Sequence, residues 1–127
     1  MPKMPNGKMP GTKMPKAKMK VARVILFTNK MDAMSAFYGE VLGLRTVSEE
    51  KGWREFASGG ARIALHSGPP SPGRKGPKIV FQAKDVAGLR AALVARGATF
   101  GKVHQGDVFC LCDGKDPDGN PIQLSDR

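Results

Sequence analysis

Beyond Val21 the apolar positions alternate between strand-like runs and a helical period, and the whole pattern occurs twice. In the first half, "RVILF" (Arg23–Phe27) is a run of β-formers and reads as a strand. A helix is predicted from about Asp32 to Leu42, with Met34, Phe37, Tyr38 and Val41 on its apolar face and Gly43 ending it. In the second half "KIVFQA" (Lys78–Ala83) is the strand. Asp85 caps a helix running to about Arg96, with Val86, Leu89, Ala92 and Leu93 inward and Gly97 as its end. Arg23 and Lys78 lie 55 residues apart, and Gly43 and Gly97 lie 54 apart. Three short strand-like stretches follow each helix. The last strands match as well: "GARIAL" (Gly60–Leu65) and "GNPIQL" (Gly119–Leu124) share Gly, Ile and Leu at equal offsets. Ala64 therefore corresponds to Gln123, and His66 to Ser125.

A period of this length means a duplicated unit, here βαβββ. The predicted class is α+β, one domain over residues 21–127, with modules at 21–67 and 77–127. The linker, 68–76, sits in "GPPSPGRKGP", whose four prolines and three glycines favour a loop. The segment "DPDGN" before the final strand is a tight turn: Pro117 presets φ, the aspartates bond locally, and Gly119 accepts a positive φ.

Composition changes this picture at one end only. The net charge is +10, but residues 1–20 hold six lysines and no acid, which leaves 15 basic against 11 acidic residues in the body. The leader repeats every five residues ("MPNGK", "MPGTK", "MPKAK") and reads as extended or disordered. Three readings stand beside each other: an electrostatic arm for a polyanion, a solubilising tail, or translation starting at Met19. Nothing beside the lysines can stack on a base, so no nucleic-acid partner is expected. No run of about 18 apolar residues exists, so no membrane span is expected. Cys110 and Cys112, the two cysteines, are expected as free thiols in a reducing, cytoplasmic compartment.

On "AFYGEVLGL" (Ala36–Leu44), "GWREFASGGARIALH" (Gly52–His66), "KDVAGLRAALVARG" (Lys84–Gly97) and "DPDGNPIQL" (Asp116–Leu124), the chain resembles the vicinal oxygen chelate superfamily, the glyoxalase/bleomycin-resistance/dioxygenase group. The resemblance implies paired βαβββ modules forming a curled mixed sheet around a cup-shaped cavity, and a homodimer. In metal-dependent members four side chains hold a divalent cation, and those positions fall here on Arg23, Ala64, Lys78 and Gln123. Arginine has no acceptor, lysine would have to lose its proton, and alanine offers nothing. Gln123 alone supplies one amide oxygen, so neither a metal nor another cofactor is expected.

The same arrangement suggests an anion site. Strand alternation puts Arg62, Ala64 and His66 on one face, so Arg23, Lys78, Arg62, His66 and Gln123 converge over an apolar floor of Ile25, Phe27 and Val80. The competing reading leaves Lys78 exposed and pairs Arg23 with a surface acid such as Asp85 or Glu40. Packing is the default for Trp53 and Phe56, with Trp53 also a candidate for the cavity rim, and His104 has no role. The expected function is metal-free binding of an anionic or oxygen-rich small molecule, as in the drug-binding, antibiotic-resistance members, although the best known of those are acidic and take cationic drugs. The alternative is a glyoxalase-related lyase or isomerase with an atypical metal or metal-free site. A third reading, polyanion capture, works through the leader.

Overall fold

The doubled pattern is realised in a computed structural model that describes residues 20–72 and 77–127. The lysine-rich leader before Lys20 and residues 73–76 of the predicted linker lie outside the described residues, and the readings placed on them lie there too. Strand β1 (Arg23–Thr28) leads into helix α1 (Met31–Ser35), a π-helical segment (Ala36–Val41), and strands β2 (Arg45–Glu50), β3 (Trp53–Ser58) and β4 (Ala61–Ser67). The second half runs β5 (Ile79–Gln82), α2 (Val86–Ala95), β6 (Thr99–Phe100), β7 (His104–Gln105), β8 (Cys110–Lys115) and β9 (Pro121–Ser125). The strands make two sheets, ordered β1-β4-β3-β2 and β5-β9-β8-β6, with β7 also on β8. In each sheet the first strand pairs in parallel with the last, and the remaining pairs are antiparallel. This is α+β architecture built from two βαβββ units.

Several expectations hold at residue level. Asp85 accepts from the Gly88 amide at 3.0 Å and caps α2. Gly43 and Gly97, at φ +77 and +103, end the two helices in a conformation that side chains with a Cβ resist.

Others are corrected. The first helix is not α-helical to Leu42: from Ala36 its bonds skip an extra residue, as in Leu42 N–H to the Phe37 carbonyl at 2.8 Å. The wider turn carries the adjacent Phe37 and Tyr38 both inward, stacked edge to face at 5.1 Å, which a 3.6 period does not do. It also brings Gly39 onto Phe56, where a Cβ would stand 3.1 Å from the ring. Ala92 is exposed, because the buried stripe of α2 runs through Val86, Leu89 and Leu93 and Ala92 lies off its edge. The first strand after α2 is broken into β6 and β7. Its register on β8 slips by one between Phe100↔Gly114 and His104↔Leu111, as the register of β2 on β3 slips between Thr46 and Ser48.

Helices cover one face of each sheet, and one core joins the two modules. Met34, Phe37, Tyr38, Phe56, Ile63 and Leu65 from the first pack in one cluster with Val86, Leu93, Phe100, Cys112, Ile122 and Leu124 from the second. Polar ties cross the same boundary: the Tyr38 hydroxyl donates to Asp116 at 2.8 Å and Arg96 to the Val41 carbonyl at 3.0 Å. At Gly114 the sheet admits no side chain, since a Cβ would meet the Thr99 carbonyl and stand 2.6 Å from Phe100 Cδ1. Gly114→Ala is expected to lower stability by about 1–3 kcal/mol. Gly60→Ala, with nothing within 4 Å, is expected to change little, and equal melting temperatures for the two variants would refute the packing argument.

Candidate functional site

The sheet faces away from the helices carry the chemistry. Backbone register sets their side chains in cross-strand rows. On the first sheet the rows are Arg23–Arg62–Ala57–Arg45, then Ile25–Ala64–Glu55–Ser48, then Phe27–His66–Trp53–Glu50. On the second sheet the corresponding rows include Val80–Gln123–Asp113 and Gln82–Ser125–Leu111. Glu55 and Asp113 thus occupy equivalent places in the two modules, each one strand over from the paired Ala64 and Gln123.

These two acids organise the predicted cations. Glu55, only 5% exposed, accepts from Arg23 Nε at 3.2 Å and Arg62 Nη1 at 3.3 Å through one oxygen. Burial alone raises its carboxyl, but hydrogen bonds and charge from Arg23 and Arg62 outweigh that and hold it below the usual carboxylate range. Asp113 is more open. Its Oδ1 accepts from Lys78 Nζ and Gln123 Nε2, both at 2.9 Å, and the Lys78 bond, then the Gln123 bond, hold its carboxyl down as well. The partner of Arg23 is therefore Glu55 rather than Asp85 or Glu40. A shallow strand position explains it: a guanidinium on β1 reaches across β4 to β3 without leaving the sheet face.

The third row of the first sheet is aromatic. Phe27, half exposed, lies 5.3 Å from the His66 ring, and Trp53 lies edge-on to His66 at 5.7 Å. Trp53 Nε1 donates to Ser48 Oγ at 3.1 Å, which fixes the indole. His66 Nδ1 is 2.8 Å from the Ser67 carbonyl. A carbonyl only accepts, so Nδ1 is the donor in this contact, and a neutral ring making it presents its lone pair at Nε2.

The predicted site residues thus form three groups. Arg23 and Arg62 meet at Glu55, Phe27 and His66 stack beside Trp53, and Lys78 and Gln123 meet at Asp113. The first two groups share one sheet face and the third lies on the other sheet. Among the described residues no hydrogen bond or ion pair links the third group to the others. The residues that sequence reasoning missed are Glu55 and Asp113. Equal offsets do not reveal them: Glu55 lies nine residues before Ala64 and Asp113 ten before Gln123, so their equivalence shows only once the strands are paired.

The donor set does not fit a divalent cation. Arg23 and Lys78 are committed to carboxylates, Ala64 offers no atom, and the Gln123 amide nitrogen faces Asp113. Among the described residues no cluster of three His, Cys, Asp or Glu side chains is arranged to hold a metal. Cys110 and Cys112 are free thiols, and burial, together with Asp126 beside Cys110, pushes Cys110 up and burial pushes up Cys112, so neither is an activated thiolate.

A family model described as the Glyoxalase/Bleomycin resistance protein/Dioxygenase superfamily matches residues 20–124. No curated protein matches the sequence. Among solved structures the fold is similar to that of a lactoylglutathione lyase from Agrobacterium tumefaciens, at TM-score 0.68 and 23% identity, covering 88% of this chain and 94% of that one. It is similar to a glyoxalase family protein from Bacillus anthracis, at TM-score 0.74 and 18% identity over 88% and 98%. A glyoxalase/bleomycin resistance protein/dioxygenase from Nocardioides gives TM-score 0.73 and 17% identity over 87% and 85%.

Proposed function

This chain belongs to the glyoxalase/bleomycin resistance protein/dioxygenase superfamily, and from that premise we propose that it is a metal-free small-molecule binder whose open sheet face takes an anionic or oxygen-rich ligand with a planar part. The observation that carries the reading is the Phe27–His66–Trp53 row lying beside the Arg23–Glu55–Arg62 cluster. An aromatic wall with a few convergent polar groups is the usual make-up of a ligand pocket. Lys78 and Gln123 contribute from the second sheet. Ile25 and Val80 are 44% and 52% exposed on the open faces, apolar surface that a second copy of the chain would cover, so the working unit in this reading is a homodimer. Two free thiols suit a reducing compartment, and we place the protein in the cytoplasm.

The test is elemental analysis of untagged protein, then a thermal-shift screen of anionic aromatic compounds with and without Ni, Zn, Fe and Mn. Stabilisation indifferent to chelator is expected. Phe27→Ala, at a half-exposed position, is expected to weaken the best compound roughly tenfold through the lost ring contact while leaving the melting temperature of the free protein nearly unchanged. One divalent ion per chain in the purified protein would sink the metal-free reading.

A lyase or isomerase is the second reading, favoured by the His66 tautomer. Nε2 offers a lone pair on the open face, within a wall that also carries guanidinium groups able to stabilise a developing enolate. Turnover of a hemithioacetal that His66→Gln abolishes, with ligand affinity kept, would select it over simple binding.

A further inference from the structure

At the end of the first sheet the row Arg23–Arg62–Ala57–Arg45 opens into a groove of about 520 Å³, lined by these four residues with Lys20 and the Gly59–Gly60 turn. Four cations line it and no acid does. Glu55, the carboxylate that touches Arg23 and Arg62, offsets one of the four charges. Arg23 gives it only Nε and Arg62 only one Nη1, so most of their N–H donors remain free. Among the described residues neither Arg45 nor Lys20 has a carboxylate within ion-pair distance. Ala57 sits between Arg62 and Arg45 in the row and leaves a gap where a larger side chain would stand. With strands about 4.8 Å apart, the two guanidinium stems rise roughly 10 Å from each other across that gap, a span that side chains of this length close over a single tetrahedral anion.

We propose that this groove binds a phosphate monoester, and that the ligand of the open face is therefore a small phosphorylated molecule. The inference rests on the preceding reading that the open face of the first sheet takes a ligand. The charge count favours phosphate over a single carboxylate: the excess of three positive charges matches a group carrying about −1.5 to −2 near neutrality better than one carrying −1. Guanidinium forks also meet phosphate oxygens in pairs, which a row of three arginines can exploit more than once. The aromatic row lies two rows along the same face, within reach of the organic part of such a molecule.

Calorimetric titration of the full chain with phenyl phosphate, inorganic phosphate, malonate and benzyl alcohol at fixed ionic strength tests this. Saturable 1:1 binding of phenyl phosphate is expected, at least tenfold tighter than malonate. Arg45→Glu is expected to weaken phenyl phosphate and inorganic phosphate at least tenfold with the melting temperature unchanged, and Lys20→Glu to act in the same direction. Tighter binding of phenyl phosphate than of inorganic phosphate identifies a phosphorylated organic ligand, and equal binding identifies the free ion as the occupant. Malonate binding as tightly as phenyl phosphate, or phosphate affinity unmoved by Arg45→Glu, overturns the inference. In that event benzyl alcohol or phenyl phosphate still binding in a Phe27-dependent way leaves the open-face reading standing. Failure of all four probes overturns both.

Discussion

Asp116→Ala is expected to lower the free energy of unfolding by about 3–5 kcal/mol, a large share of the 5–15 kcal/mol that small domains possess. Asp116 is 4% exposed and its two oxygens accept four hydrogen bonds. Three are local: the Asp118 amide at 3.0 Å, the Asn120 amide at 2.9 Å and Asn120 Nδ2 at 2.7 Å, which together hold the β8–β9 turn. The fourth comes from the fully buried Tyr38 hydroxyl at 2.8 Å, in the other module. Truncation therefore frees the turn and orphans a buried donor at the seam between the halves. Burial, with the Asp116 charge and hydrogen bond behind it, pushes the Tyr38 phenol far above its ordinary range, so it stays a donor at any working pH. Tyr38→Phe removes only the crossing bond and leaves Asp116 its three local donors, so about 1–2 kcal/mol is expected. Urea denaturation followed by the fluorescence of Trp53, the single tryptophan, and by far-UV circular dichroism measures both. A loss below about 1 kcal/mol for Asp116→Ala would mean that the turn and the seam hold without it.

The contrast inside Asp116 also shows what the sequence can and cannot carry. Its turn bonds are local, and residues 116–120 announce them by type and order. Its bond to Tyr38 spans 78 positions and is visible only once both modules are placed. The same division runs through the site. The duplicated strand–helix–strand order, the Asp85 cap and the Gly43 and Gly97 helix ends were legible because each depends on a few adjacent residues. The pairing of Arg23 and Arg62 with Glu55 was not, because it depends on β3 lying against β4 in one particular register. Nor was the π-helical turn. It sets Gly39 against the ring of Phe56 on β3, a contact that depends on where that strand lies. The cations expected bare each have a carboxylate, Arg23 and Arg62 at Glu55 and Lys78 at Asp113, whereas Arg45 and Lys20, which line the same groove as Arg23 and Arg62 and were not among the predicted site residues, have none within ion-pair distance among the described residues.

That pairing sets the second large effect, expected from Glu55→Gln. Glutamine keeps the shape and one acceptor but removes the charge that Arg23 and Arg62 share. The carboxyl of Glu55 titrates lower in the folded protein than in the unfolded chain. Its contribution to stability is therefore complete above the unfolded carboxylate pKa, about 4.3, and is lost as pH falls through the folded value. Asp113 follows the same sign, held down by Lys78 and Gln123, but at an exposed and screened position. Wild-type melting temperature should thus fall on acidification below about pH 5, and Glu55→Gln should be less stable than wild type at pH 7 yet converge with it as pH falls through the lowered folded pKa of Glu55. Ligand affinity should move the other way. Removing one negative charge from beside the four cations of the groove strengthens inorganic phosphate binding by about tenfold at low salt, an advantage that salt then erodes. A carboxylate that steadies the fold thereby restrains the anion site it sits beneath. Parallel pH–stability curves for the two proteins, or a phosphate affinity that falls in the variant, would show that Glu55 does not hold this position between the arginines.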